Sequence, residues 1–245
     1  MYPERTYRNL VSTEKLATFQ VVVKETDLLV HADKNLEAET RELVLEQRGY
    51  VEAYIKAHPD FATALTPWRL NGPAPTIVTD MIKAGENAGV GPMAAIAGAV
   101  AEQAGLGLLK STDEVIVENG GDVFIKTATP LMVGIFAGQS PLSLRIGIRV
   151  SSGPTPMGVC TSSGTVGHSL SLGKTDAVCV VAESCAIADA AATAIGNLVQ
   201  SIADIEFAIA KGKCIDKIRG IIIIVGEKMG IWGDLEVVPL KGKNA

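Results

Sequence analysis

Aromatic residues make up only 4% of this 245-residue chain, and histidine occurs three times. Hydrophobic residues still reach 47%, so the core must be built from Ala, Val, Ile and Leu, with many small residues letting helix and sheet approach closely. Four cysteines stand at 160, 179, 185 and 214, and no two form a C-x-x-C pair. That absence argues against a zinc cluster and leaves reduced core thiols as the expectation. There is no long basic run and the net charge is −5, so no nucleic-acid partner is expected. A polyanion would have to be held by local backbone N–H groups or a metal. The apolar run Gly220–Val225 is too short to cross a bilayer, so no membrane partner is expected either. The first residues, MYPERTYRNL, are polar and show no apolar signal region; a cytoplasmic protein is the expectation.

Along the chain, residues 16–31 read as two strands joined by a charged turn at Lys24–Asp27. Leu36 to His58 carries Leu36, Leu43, Val44, Val51, Tyr54 and Ile55 at helical spacing, with Glu and Arg on the other face. His58-Pro59 ends it, and a connector with Pro67, Pro73 and Pro75 follows. Two small-residue helices are expected at about Ile77–Ala88 and Pro92–Ala104, then strands at Val115–Val117, Val123–Lys126, Leu131–Phe136, Leu144–Val150 and Val178–Ala182. Ser184 caps a helix from Cys185 to Ile202, and Gly220–Val225, Lys228–Trp232 and Leu235–Val238 close the chain as a hairpin or meander. A small-residue helix leading to a hairpin occurs twice, which suggests an internal helix–strand–strand duplication. Helices among hairpin-linked strands indicate α+β, mostly antiparallel. One domain over 1–245 is expected, or two closely packed lobes joined near 66–76.

Three stretches can carry chemistry. In VENGGDVFIK, Asn119, Gly120, Gly121 and Asp122 sit between two apolar runs. This is a strong hairpin signal, and equally a place where bare backbone can meet a ligand. CTSSGTVGHSLSLGKTDAV, residues 160–178, is dense in Ser, Thr and Gly. It reads either as a polar surface loop or as an anion-binding concavity in which Thr161, Ser162, Ser163 and Gly164 offer donors. Within it, His168 can donate to phosphate or move a proton, and Lys174 can supply a cation. In AESCAIADAAATAIGN, Asp189 and Thr193 are four residues apart on one helix face. A carboxylate and a hydroxyl so placed suit Mg²⁺, though a solvated or capping pair reads the same way. Ringed by alanines, Asp189 is expected to face water or a ligand.

NGGD, then TSSG, then a histidine, then ADAAATA resembles the ApbE family of FAD:protein FMN transferases, and more closely an uncharacterised family allied to it. The resemblance covers roughly residues 85–240. It implies an ApbE-like fold and a nucleotide-sized cleft bordered by Asn119, Gly120, Gly121 and Asp122. Thr161, Ser163 and Gly164 match the family's T-S-G segment, and His168 stands where its histidine would fall. Asp189 and Thr193 match the pair that helps hold Mg²⁺ beside a pyrophosphate. Two features depart from the pattern. The K-G-x-x-x-D helix is replaced by GVGPMAAIAGAVAE, and SLSLGKTDA stands where P-x-T-G would follow the histidine.

The implied function is that of a Mg²⁺-dependent enzyme, of transferase type, acting on a small anionic, phosphorylated or nucleotide-like ligand. Asp189 and Thr193 would hold the metal, His168 would move a proton, and Asp122 would orient metal, water or ligand. The departures imply weak or absent FAD binding. The alternatives are a non-catalytic binder that keeps the fold, a cofactor-biosynthesis enzyme with another acidic substrate, and a true FAD:protein FMN transferase. A homo-oligomer stays open.

Overall fold

The computed structural model describes residues 16–165 and 171–240. β1 (Ala17–Val23) and β2 (Thr26–Ala32) form the expected hairpin, with Lys24 at φ 52° in the turn. α1 (Glu37–Ala57) buries Thr40, Val44, Gln47, Val51 and Tyr54, a row at three- and four-residue steps that turns the charged positions outward. The connector beyond it is anchored by rings. Phe61 is fully buried and meets Tyr54 and Trp68 edge-on, at centroid distances of 4.9 and 5.6 Å.

α2 (Thr76–Ala88) stops at Gly89, whose φ of 74° is the left-handed cap that glycine adopts without strain. A single 3₁₀ turn at Pro92–Ala95 runs into α3 (Ile96–Leu108), so the expected helix starts in a tighter turn and continues further. Then come β3 (Val115–Asn119), β4 (Asp122–Lys126), β5 (Leu131–Gly134), β6 (Ile146–Val150), β7 (Met157–Ser162) and β8 (Ala177–Ala182). α4 (Cys185–Asn197), α5 (Ile205–Gly212), β9 (Ile218–Val225), β10 (Lys228–Gly233) and β11 (Glu236–Pro239) complete the described chain.

The architecture is α+β. One sheet has the order β1-β2-β3-β4-β7-β8-β9-β10 and the other β11-β6-β5, with every neighbouring pair antiparallel. The pleat of the large sheet divides its side chains between two cores. Val178, Val180, Ile221 and Ile223 face the helices, while Cys179, Val181, Ile222 and Ile224 face the three-stranded sheet. Strands buried on both faces need apolar residues at every position, hence the unbroken runs in the sequence.

The expectations fail at four places. The chain does not close as one meander: β9 and β10 pair, but β11 crosses to the second sheet beside β6. Gly233 makes the exit at φ 102°, its missing side chain giving way to the backbone of Arg219 and Gly220. α4 ends at Asn197, not 202, and a capping box of Ser201 and Asp204 starts the next helical segment; this S-x-x-D signature was legible. β7 was not anticipated. Cys214 is exposed, whereas the other three cysteines are buried and all four are free. The helix-then-hairpin order recurs, α3 before β3–β4 and α4 before β9–β10, but α5 interrupts the second, and the order alone does not establish a duplication.

Candidate functional site

Asn119 and Asp122 stand opposite each other in the β3–β4 register, joined by Gly120 and Gly121 at φ 68° and 116°. Both central positions need positive φ, which glycine supplies. The register puts both side chains on the helix-covered face, in line with Val117 and Phe124. Glu118, on the other face, accepts the Gly121 N–H at 3.1 Å and closes the turn.

Asn119 Nδ2 donates to the Ala97 carbonyl at 3.0 Å, and the Gly98 N–H donates to Asp189 Oδ2 at 2.9 Å. One peptide unit, Ala97–Gly98, is thus held from both ends, by the β3–β4 turn and by α4. It lies in the first turn of α3, where backbone N–H groups lack intrahelical acceptors and favour a carboxylate. Gly98 is required there: an added Cβ would lie 2.8 Å from Asp189 Cβ and closer still to the Cys185 carbonyl. The two helices exchange the favour. Glu102 of α3 accepts from Ser184 Oγ at 2.7 Å and from the Ala186 N–H at 3.0 Å, at the start of α4. Burial holds the Glu102 carboxyl above the usual range despite these donors. Asp189 thus serves a helix end with one of its oxygens, while its side chain stays half-buried on α4.

Asp122 is buried, opposite Cys160 on β7. Burial raises its pKa well above the ordinary value, the charge of Asp189 raises it further, and hydrogen bonds from Cys160 and the Thr161 N–H only partly oppose this. Burial pushes Asp189 up to about 7, against the Gly98 and Ala97 N–H groups that favour its charged form. Two carboxylates from different elements therefore share one low-dielectric neighbourhood. Cys160 and Cys185 lie beside them with Sγ atoms 3.4 Å apart. Burial raises both thiols, Cys185 to about 11, so neither is a thiolate nucleophile at neutral pH.

Asp189, Thr193 and Asn197 form a row at four-residue steps along α4, all half-buried, while Ala188, Ala190, Ala191 and Ala192 are fully buried. Asn197 escaped the sequence reading, although the period-four polar row in an alanine-rich helix was its signal. Its Oδ1 accepts the Leu172 N–H at 2.8 Å and fastens the loop after β7 to the end of α4.

The Thr/Ser/Gly stretch is placed differently from the expectation. Thr161 and Ser162 are strand residues paired with Cys179 and Val178. The Thr161 side chain bonds Cys179, on the face away from Asp122, so Thr161 gives the site its N–H and not its hydroxyl. The Gly164 N–H donates to the Thr175 carbonyl at 2.9 Å. Gly164 packs against the backbone of Gly173, and Gly173 against that of Gly196. These glycines let chain approach chain. Ser163 Oγ accepts the Thr165 N–H at 3.1 Å. Lys174 is exposed, and its N–H donates to Val199 at 2.8 Å. This loop meets α4 at Gly196, about 10 Å along the helix from Asp189. Hydrogen bonds thus bring together Asn119, Asp122, Asp189 and the Thr161 backbone, whereas Gly164 and Lys174 are tied towards the far end of α4 and Ser163 turns on Thr165. His168 lies outside the described residues.

Among the described residues, no three His, Cys, Asp or Glu side chains are gathered so as to hold a metal. The oxygens of Asp122, Asp189 and Thr193 still suit a hard cation that takes the rest of its shell from water and a phosphate.

The family model described as AbpE bacteria matches residues 8–216. The chain belongs to this AbpE family. It is similar to a UPF0280 protein of Methanococcus aeolicus, 40% identical over 227 residues, covering 88% of this chain and 90% of the relative. A UPF0280 protein of Methanocella arvoryzae is 37% identical over 226 residues, covering 92% and 91%. In structure, the AbpE chain resembles the apo form of flavinyl transferase ApbE from Pseudomonas stutzeri, with TM-score 0.56, 15% identity and coverage of 89% of this chain and 94% of that one. The apbe protein of Thermotoga maritima gives TM-score 0.55 at 14% identity, covering 88% and 96%. At such identities the likeness establishes the fold, and the resemblance read from NGGD, TSSG and ADAAATA is borne out at the level of family and fold.

Proposed function

We propose that this AbpE protein binds a phosphorylated, nucleotide-like ligand together with Mg²⁺ and catalyses transfer or hydrolysis at phosphorus. The observation that carries the reading is the convergence of Asp122 and Asp189 in one buried neighbourhood, where the charge of one raises the proton affinity of the other. A divalent cation removes that repulsion, and with a phosphate it would complete an oxygen shell begun by Asp122, Asp189 and Thr193. Capping of α3 does not exhaust Asp189: a carboxylate has about four lone-pair sites, and the Gly98 and Ala97 N–H groups leave sites over. When bound, the metal would neutralise charge on the phosphate. Asp122 then orients water or ligand, the Asn119–Asp122 turn forms the rim, and His168 is assigned the proton transfer.

The Pro92–Ala95 turn runs directly into the Ala97–Gly98 peptide and offers apolar side chains where ApbE proteins carry a charged pair. It can cover a ring but cannot fix its polar edges, so FAD binding is expected to be weak.

The test is thermal unfolding of the full chain with ADP, pyrophosphate or FAD, each with and without Mg²⁺. A rise in Tm that needs both metal and phosphate supports the reading. Thr193→Val should remove the metal-dependent part while leaving the unliganded Tm nearly unchanged, because Thr193 is half-buried on a regular helix. The metal-dependent shift should grow as pH rises through about 7, where Asp189 loses its proton. No shift with any phosphate compound counts against the reading. Tight FAD binding with covalent FMN on an acceptor protein would make this a true FMN transferase.

A further inference from the structure

Thr161, Ser162 and Ser163 set hydroxyls in succession where β7 ends. Two of these are engaged. Thr161 bonds Cys179, and Ser163 Oγ accepts the Thr165 N–H at 3.1 Å. Ser162 is half-buried, and among the described residues its Oγ has no hydrogen-bond partner. The pleat fixes its direction. Ser162 stands opposite Val178, which belongs to the core beneath the helices. Cys160, two residues earlier on the same face, stands opposite Asp122. Thr161 stands opposite Cys179 and points to the other core. Ser162 therefore turns its hydroxyl to the face that holds the carboxylates.

The surroundings of that hydroxyl belong to the site. Asp122 is its diagonal neighbour across the β4–β7 register. Diagonal positions lie about 7–8 Å apart, too far for two short side chains to bond directly and close enough for one phosphate to touch both. The bare turn runs alongside: a Cβ on Gly121 would lie 3.5 Å from the Thr161 carbonyl. α4 lies above the strand. It begins over Gly158, whose missing side chain makes room for the Cys185 backbone, and ends over Val178, whose Cγ2 is 3.6 Å from where a Cβ of Gly196 would stand. Thr193, just before Gly196, is thereby brought to the Ser162 end of β7. We propose that the Ser162 hydroxyl donates a hydrogen bond to the phosphate of the ligand. The assignment rests on the metal–phosphate reading of this site and names the side chain that grips the phosphate itself. Carboxylates repel a phosphate and reach it only through the metal, whereas a neutral O–H donor beside them bonds the anion directly. The T-S-G segment of the ApbE family leaves Ser162 without a counterpart, so the resemblance does not supply this contact.

The test is calorimetric titration of the full chain with pyrophosphate in excess Mg²⁺ at pH 8, with thermal unfolding of the unliganded protein as the check on folding. The wild type is expected to bind. Ser162→Ala should weaken binding about tenfold or more, with an unliganded Tm close to that of the wild type. Ser162→Thr keeps a hydroxyl at a strand position that suits a β-branched residue, and should retain most of the affinity. Ser163→Ala removes the neighbouring hydroxyl, which serves the loop, and should bind as the wild type does. A wild type that does not bind pyrophosphate overturns the metal–phosphate reading and this assignment with it. A wild type that binds, with Ser162→Ala equally tight, overturns the assignment alone. So does a Ser163→Ala loss as large as that of Ser162→Ala, or a Ser162→Thr variant as weak as Ser162→Ala.

Discussion

The large sheet has two faces, and they solve burial in opposite ways. Against the three-stranded sheet it sets Ile116, Val123, Ile125, Val159, Val181, Ile222 and Ile224, a dry aliphatic layer. Against the helices it sets Val and Ile too, but the helices themselves present Gly98, Ala99, Ala101, Ala188, Ala190 and Ala191. Small residues bring backbones together, and in that tight layer the protein keeps Asp122, Asp189 and Glu102. One face supplies stability. The other gives some of it up to hold carboxylates out of water.

This contrast can be tested by taking atoms from one face and adding them to the other. Ile222 is fully buried in the aliphatic layer, and Ile222→Ala should cost about 2–5 kcal/mol in denaturant unfolding, through lost burial and a cavity. On the helix face the damaging change is an addition. Gly98→Ala inserts a methyl where the Cys185 carbonyl already lies, and should cost about 1–3 kcal/mol. If Gly98→Ala were neutral, the close approach of α3 and α4 would not be a requirement of the fold.

A smaller effect is expected at the carboxylate itself. Asp189→Ala leaves the Gly98 N–H without its acceptor, at a cost of about 1–3 kcal/mol. Asp189→Asn keeps an acceptor oxygen and removes the charge, so at pH 8 it should be the milder of the two. Equal losses would mean that capping is not what Asp189 contributes.

The smallest effect sharpens the comparison through pH. Asp189 has its pKa raised from 3.8 to about 7 by burial, and Asp122 is raised as well. The folded state therefore binds protons more tightly than the unfolded chain. Stability is fully present below about pH 4 as far as these two groups are concerned, and is lost as pH rises towards about 7. Without metal, the wild type should unfold more readily at pH 8 than at pH 5. Asp122→Asn should flatten that slope, and a slope unchanged in this variant would show that other groups set it. No such slope is expected from changes on the aliphatic face, where Glu118 at the hairpin end is the buried carboxylate among the described residues.

Much of this was legible in the sequence, for identifiable reasons. Strand β8 and the β3–β4 hairpin were readable because both-face burial gives unbroken apolar runs and Asn-Gly-Gly-Asp admits few conformations. The Asp189/Thr193 spacing was readable because helical geometry is local. The fate of Asp189 was not, since the N–H it accepts comes from Gly98, 91 residues away. Thr161 and Ser162 looked like loop because Ser, Thr and Gly suit loops, yet pairing with β8 makes them strand. Gly164 looked ready for a phosphate, but it packs against the backbone of Gly173, which packs in turn against Gly196.

The sequence by itself determined the family, the α+β class, the elements with strong periodicity and the residue types of the site, because each depends on patterns within one segment. Only the tertiary structure decided which groups meet. It placed Asn119 and Asp189 at the two ends of one peptide unit, turned the Thr161 hydroxyl away, and tied Lys174 to Val199, just beyond the far end of α4. Partners so far apart in the chain are chosen by how sheet and helices pack, and that packing is a property of the whole fold, not of any one stretch.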